Sequence, residues 1–340
     1  MNVSALGEFE LIARLTAGLP TRTKGELGVG DDCAILDVGG EQLLLATCDS
    51  QVEGVHFTLH TSEPLQIGRK ALAINLSDIA AMGGQPRYAL ISLILPTSLP
   101  LAVLDGIYAG LRQEAEQFQT AIIGGNIAGS GTGERLIIDI TLLGTVERGH
   151  ALTRAGARPG DTLCVTGAPG DSAAGLYTLL HPQAAYPADA LAAVRTIHRI
   201  PRPRVRAGRV LSQLGPDVIT AMLDISDGLS GDLGHLCERS AVGARLELAR
   251  LPLSPVLRAI ATAADRDPLH WVLHGGEDYE LLFTVSPGHE QAVIEAVQEA
   301  TGTPVTIIGS MLPPKEGMQL SYPDGHTQQL VAQSWDHLKQ

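Results

Sequence analysis

Acidic residues in this sequence gather in short motifs beside glycine or serine. Asp31 and Asp32 lie in GVGDDCAIL, Asp49 in ATCDSQVEGVHF, Asp78 in NLSDIAAMGG, and Asp224 and Asp227 in LDISDGLSGDLGH. A fifth motif, GGEDYEL, carries Glu277, Asp278 and Glu280. A solvated surface acid needs no apolar strand beside it, yet Asp49 follows LLLATC and Asp224 follows VITAML. Both are expected at the carboxyl ends of buried strands, where α/β folds bind ligands. Asp78 sits in an otherwise apolar helical stretch, where a lone buried carboxylate costs several kcal/mol unless it is paired or metal-bound. Acids that converge repel one another, so cations are needed, and hard oxygen donors suit Mg²⁺ rather than a soft metal. Plainer readings exist for each motif taken singly. Asp224 can cap a helix begun by Ser226 or Asp227, and the Asp31-Asp32 pair can form a turn. The coincidence of four such motifs favours a shared site.

Mg²⁺ held by carboxylates points to phosphates. The chain has no GxxxxGK[ST] phosphate loop and lacks the protein-kinase motif set. The glycine clusters on offer are Gly124-Gly125-Asn126, after the strand TAIIG, and Gly167 to Gly170.

These motifs must be held by regular elements. Apolar spacing predicts a short amphipathic helix over Leu6 to Leu15, with Phe9, Ile12 and Leu15 on one side. The clearest helix runs from Pro64 to Met82, with proline at its first position and Gly83-Gly84 as the stop. A second helix is predicted over Leu101 to Phe118, and strands over Leu43 to Cys48, Tyr88 to Leu95, Thr120 to Gly124 and Leu136 to Val146. The polar, turn-rich stretch from Glu147 to Gly160 marks a boundary, giving domains 1–150 and 151–340. Beyond it, strands are predicted over Thr162 to Gly167, Ile219 to Ile225, Ala244 to Leu248, Glu280 to Val285 and Val305 to Ile308. Helices start at Asp171 and cover Leu229 to Arg239 and His289 to Ala300. Strand and helix alternate in each half, so the fold class is α/β (α+β).

Bulk properties exclude other roles. The 340 residues carry a formal charge of −13 and no basic stripe, which argues against nucleic-acid binding. The densest basic stretch, Arg199 to Arg209, reads as a proline-broken lead into a surface helix. None of the four cysteines is spaced as CxxC, and three have apolar, strand-like surroundings, as expected of reduced thiols in a cytosolic protein. The amino terminus lacks the pattern of a signal peptide. The strongest apolar run, Tyr88 to Leu95, is far short of the ~20 residues that span a bilayer. A cytoplasmic protein without a membrane role is expected.

The ordered motifs GDDCAIL, DSQVEGVHF, KALAINLSDIAAMGG, IIGG, ALTRAGARPGD, TGAPGDSAAGL, LDISDGLSGDLGH, GGEDYEL and a terminal WDHL resemble the thiamine-monophosphate kinase family. That family sits in a superfamily with aminoimidazole ribonucleotide synthetase, selenophosphate synthetase and a hydrogenase-maturation protein. The resemblance implies two mixed-sheet domains. The first would hold ATP and Mg²⁺ and pair its sheets in a homodimer, and the second would close over nucleotide and substrate. It implies direct in-line transfer from ATP to thiamine monophosphate, giving thiamine diphosphate without a phosphoenzyme. By the same resemblance, Asp32, Asp49, Asp78, Asp224 and Asp227 match magnesium carboxylates, and Thr47 matches a metal-contacting hydroxyl residue. Tyr108, Gly125, Arg154 and Ser226 match ATP contacts. His56, Glu277 and Trp335 match positions that hold thiamine monophosphate.

Two positions depart from the family pattern. Asn126 stands where the family reads Asp in GGDT, and Cys48 stands where it usually has Thr. Asn126 can still offer a neutral oxygen to a metal, but no charge. Two alternatives to the kinase stay open: a weakened relative that binds ATP or thiamine phosphates without turnover, and another ATP-using synthetase of the superfamily.

Overall fold

The computed structural model describes residues 7–18, 26–131 and 135–333. The first half contains α1 (Glu8–Thr16), β1 (Ala34–Leu36), β2 (Gln42–Val52), α2 (Pro64–Ala81), β3 (Gln85–Leu95), α3 (Leu101–Gln117), β4 (Ala121–Gly129) and β5 (Ile137–Glu147). Its strands form one sheet in the order β1-β2-β5-β3-β4, antiparallel except for the parallel β3–β4 pair. Alternation along β5 sends Ile138, Ile140, Leu142 and Val146 into the core, where α2 and α3 cover them.

The second half contains β6 (Thr162–Thr166), α4 (Asp171–Leu180), α5 (Ala188–Arg199), α6 (Val205–Leu214), β7 (Ile219–Asp224), α7 (Leu229–Ser240), β8 (Gly243–Glu247), α8 (Pro255–Ala264), α9 (Pro268–His274), β9 (Leu281–Val285), α10 (Glu290–Thr301), β10 (Val305–Leu312), β11 (Met318–Ser321) and β12 (Thr327–Gln329). Seven strands pair in the order β12-β11-β8-β10-β6-β9-β7, with β8 and β11 parallel. Both sheets are thus mixed, and β7 and β9 are buried along their whole length.

The helix that positions the site is α2. Pro64 opens it, and a capping box closes its start: Glu63 N–H donates to Gln66 Oε1 at 2.9 Å, while the Glu63 side chain accepts from the Gln66 backbone. Most of its surface is buried, because α3 lies on one side and α6 on another. The approach is close at glycines. A Cβ on Gly68 would lie 1.9 Å from the Ile107 carbonyl oxygen of α3, and one on Gly208 of α6 would lie 2.1 Å from that of Ala80. One apolar cluster runs through both halves, joining Leu72, Leu76 and Ile79 of α2 to Val205 and Leu211 of α6 and Phe283 of β9.

Four sequence expectations change. β2 continues to Val52, so Asp49 lies inside the strand and not at its carboxyl end. Gly124-Gly125-Asn126 lie within β4, not in a turn after it. The Arg199–Arg209 stretch does not lead to a surface helix: α6 buries Val205, Ala207, Gly208 and Leu211, while Arg204 pairs with Glu280 and Arg209 with Glu147. Of the four free cysteines, Cys48 is exposed on β2 although it ends the apolar run LLLATC. No helix among the described residues is long and apolar enough to cross a membrane.

Candidate active site

A cleft of about 980 Å³ lies between the two halves, and its walls carry most of the acids singled out above. Asp224 ends β7, as its sequence position predicts, and only 4% of it is exposed. It caps no helix. Gly228 precedes α7 without a side-chain cap, and Asp232 takes the N–H groups of Asp227 and Gly228 instead. Asp224 Oδ2 accepts a hydrogen bond from the Ser77 hydroxyl on α2, one residue before Asp78. Asp78 accepts from the Thr47 hydroxyl on β2. The helix therefore joins an acid of each half through hydroxyl donors.

Asp32, Asp78 and Asp224 each offer a carboxylate oxygen within 4.8 Å of the other two. Asp32 Oδ1 receives the Arg154 guanidinium through Nε at 3.1 Å and through Nη2. Among the described residues, Asp32 Oδ2 is buried without a hydrogen-bond partner. Such an orphan oxygen among three close carboxylates fits a hard divalent cation. The electrostatics agree. Burial, with Asp49, Asp224 and Asp32 next, pushes the Asp78 carboxyl well above its usual range. Burial and Asp32 push Asp224 up to about 8, and the same two causes push Asp31 to about 7.

These shifts fix a sign for pH dependence. A carboxyl raised above its ordinary 3.8 adds stability that is complete below that value and is lost as the pH climbs through the folded pKa. His198, held down to about 3 by burial and Lys70, works in the opposite sense only below its ordinary 6.5. Between about pH 6.5 and 8.5, metal-free protein should therefore melt at progressively lower temperature, and Mg²⁺ should raise the midpoint more at the upper end. Calorimetric scans in chelator and in Mg²⁺ measure both trends. A midpoint that rises with pH in chelator would contradict the reading of the cluster.

The cleft also brings in Asp49, Thr47, Asp227, Ser226, Arg154, His56 and Glu277. His56 Nδ1 accepts the Val52 N–H at 3.0 Å, which orients the ring. Tyr108, Gly125 and Asn126 do not line it. Tyr108 packs beside the first-half core, and Gly125 and Asn126 sit on the exposed edge strand β4. Trp335 lies outside the described residues. Gln333, two positions earlier, lines the cleft and is tied there by Ser230, whose hydroxyl donates to its carbonyl at 3.1 Å.

Sequence reasoning missed two residues that line the cleft and two that hold its acids from behind. His270 and His274 line it from α9, and the i,i+4 spacing in LHWVLH puts them on one helix face. Ser77, beside Asp78, gives no sign of its role in the sequence. Lys70, eight residues before Asp78 on the same apolar helix, satisfies the argument already made for that acid: a buried charge needs a partner.

Comparison with known proteins adds to this geometry. The description "AIR synthase related protein, N-terminal domain" matches residues 30–146, and "AIR synthase related protein, C-terminal domain" matches residues 158–319. Thiamine-monophosphate kinase of Escherichia coli K12 is 39% identical over 335 residues, covering 98% of each chain. The Bacillus subtilis protein of the same name is 34% identical over 98% of this chain and 100% of its own. The chain belongs to the thiamine-monophosphate kinase family. As a member it is a phosphotransferase, with two domains of the AIR synthase type. A solved structure of AaThiL complexed with AMPPCP and TMP superposes with a TM-score of 0.84 at 34% identity, covering 99% of both chains.

Proposed function

We propose that this chain transfers the terminal phosphoryl group of ATP to thiamine monophosphate, yielding thiamine diphosphate and ADP by direct in-line displacement. The observation that carries the reading is the single cleft in which Asp32, Asp78 and Asp224 converge beside Arg154, while His56 and Glu277 line the same space. A family relative solved with AMPPCP and TMP supports the choice of substrates.

Asp32, Asp78 and Asp224, with Asp49, Asp227 and Thr47 beside them, would hold Mg²⁺. Bound there, the metal supplies charge neutralisation for the transferring phosphoryl group. The protein's own groups do the rest. Arg154 presents a guanidinium fork that suits phosphate oxygens as well as carboxylate. Its backbone is fixed by N–H donation to Asp31 at 3.2 Å and by Ser240, which donates to its carbonyl at 2.9 Å. The acceptor's own phosphate oxygen is the nucleophile, so no side chain need become phosphorylated. The division into 1–150, holding nucleotide and metal, and 151–340, closing over them, belongs to the same proposal, as does a cytoplasmic location.

A homodimer completes it. Tyr88 and Leu90 of β3 point away from the helices and are 49% and 38% exposed, and the edge strand β4 exposes Ile123 and Ile127. An apolar face beside an unpaired strand edge invites a second copy. Tyr108, Gly125 and Asn126 carry their nucleotide and metal roles through the family resemblance alone.

The test is ADP release with ATP, Mg²⁺ and thiamine monophosphate, together with chromatography for thiamine diphosphate across a Mg²⁺ titration. Product supports the kinase. Binding without product at any Mg²⁺ level supports the second reading, a non-catalytic thiamine-phosphate binder, which Asn126 favours because it lacks a carboxylate. In the same assay Asn126→Asp should leave the rate unchanged or lower the Mg²⁺ midpoint. A marked loss would mean that the site is built around the amide.

A further inference from the structure

Glu277 is held from three sides. Lys70 of α2 is 4% exposed, and its Nζ lies 2.6 Å from Glu277 Oε1. An ammonium at that depth costs several kcal/mol unless it is paired, and here the pairing carboxylate comes from the other half of the chain. On the other carboxylate oxygen, Oε2, His198 Nδ1 of α5 stands 3.5 Å away and shares that nitrogen with the Ser172 hydroxyl at 3.1 Å. Burial keeps His198 neutral, so Lys70 and Glu277 balance one against one. The backbone at Glu277 is left-handed, with φ of 65°, a conformation that costs a side-chain-bearing residue about 1 kcal/mol or more. It is imposed by Glu277 N–H donating to the Ser226 carbonyl at 2.7 Å and by Tyr279 N–H donating to that of Ile225 at 2.8 Å. The Glu277 side chain remains 23% exposed, and that remainder faces the cleft near His56.

A lysine that served only to fill the core would not be matched to a strained, cleft-lining acid. We propose that Lys70 is a positioning residue for the phosphoryl acceptor: it fixes the Glu277 carboxylate at the cleft wall to receive the electron-poor, cationic or N–H-bearing ring of that acceptor. This rests on the function proposed above. Asp78 lies eight residues further along α2, about 12 Å of helix axis. One rigid element thus sets the spacing between the acid cluster and the acceptor contact.

The test is a cycle of Lys70→Met, Glu277→Gln and the double variant, with Lys70→Arg as the conservative control. Each is titrated calorimetrically with thiamine monophosphate and, separately, with the non-hydrolysable nucleotide AMPPCP. Lys70→Met should weaken thiamine monophosphate at least tenfold and AMPPCP less than twofold, and should raise KM for the acceptor more than it lowers kcat. Lys70→Arg should recover part of the loss. Added to Glu277→Gln, Lys70→Met should cost less than a further twofold. Equal losses for both ligands, or losses that multiply in the double variant, would make Lys70 a purely structural residue. A wild-type protein that binds AMPPCP but not thiamine monophosphate would instead overturn the proposed function. The pair is then judged by melting: Lys70→Met should lower the midpoint while Glu277 is intact and raise it when Glu277→Gln is already present, because the buried ammonium is then unpaired. Equal shifts in both backgrounds would overturn it.

Discussion

Asp224→Asn should lower phosphoryl transfer to thiamine monophosphate by about a hundred- to a thousandfold, the range seen when one preorganised electrostatic group is removed from a transition state. The substitution keeps shape and removes charge. An amide oxygen can still accept the Ser77 hydroxyl, so the tie between α2 and β7 survives. What is lost is one of three carboxylates within 4.8 Å, at a residue only 4% exposed. Burial and the neighbouring Asp32 already oppose the ionisation of Asp224. The metal-free variant should therefore melt at or above the wild-type temperature, and its midpoint should respond less to Mg²⁺. Rate assays paired with scans in chelator and in Mg²⁺ check both expectations. Wild-type turnover in this variant would remove Asp224 from the site.

Gly208→Val is expected to have the largest effect on stability. A Cβ at this position would stand 2.1 Å from the Ala80 carbonyl oxygen and 2.9 Å from its carbon. Those are backbone atoms of a buried helix and cannot swing aside, so α6 must lift from α2. The lift opens the apolar cluster that joins the two halves, at Leu211 and Leu76 among others. A loss of about 3–5 kcal/mol is expected, at the upper end for overpacking, or failure to accumulate folded protein. Gly28→Ala is the control: nothing lies within 4 Å of its added Cβ, and its effect should stay within about 0.5 kcal/mol. Denaturant midpoints for the two variants measure the contrast. A mild Gly208→Val would mean that α6 can shift without cost.

What could be read beforehand was local. Pro64 and Gly83-Gly84 mark the ends of α2 because ring geometry and freedom at positive φ act within a few residues. The run VITAML could only be a buried strand, which puts Asp224 at its end. The GGN segment misled, because glycine usually breaks strands. In β4 it does the reverse: a Cβ on Gly125 would meet the Ile91 carbonyl oxygen at 1.7 Å, so its absence is what lets β4 lie against β3. Asp49 misled in another way. The apolar run LLLATC stops before it, but the strand does not, and its further residues alternate between the two faces as far as Val52. Contacts between distant positions left no local trace. Lys70 with Glu277 and Ser77 with Asp224 join the two halves, and no periodicity within either segment encodes its partner.

The burial of α2 between partners from both halves bears on biosynthesis. The helix is complete at Ala81, whereas α6, which covers one of its sides, ends only at Leu214. At 5–20 residues per second, the intervening stretch of about 130 residues occupies a ribosome for about 7 to 27 seconds. Throughout that interval the nascent first sheet carries a helix whose apolar flank has nothing to rest on. Chaperone capture is best timed to this window, and a translational pause placed before α6 would lengthen the exposure, whereas one placed after it would not.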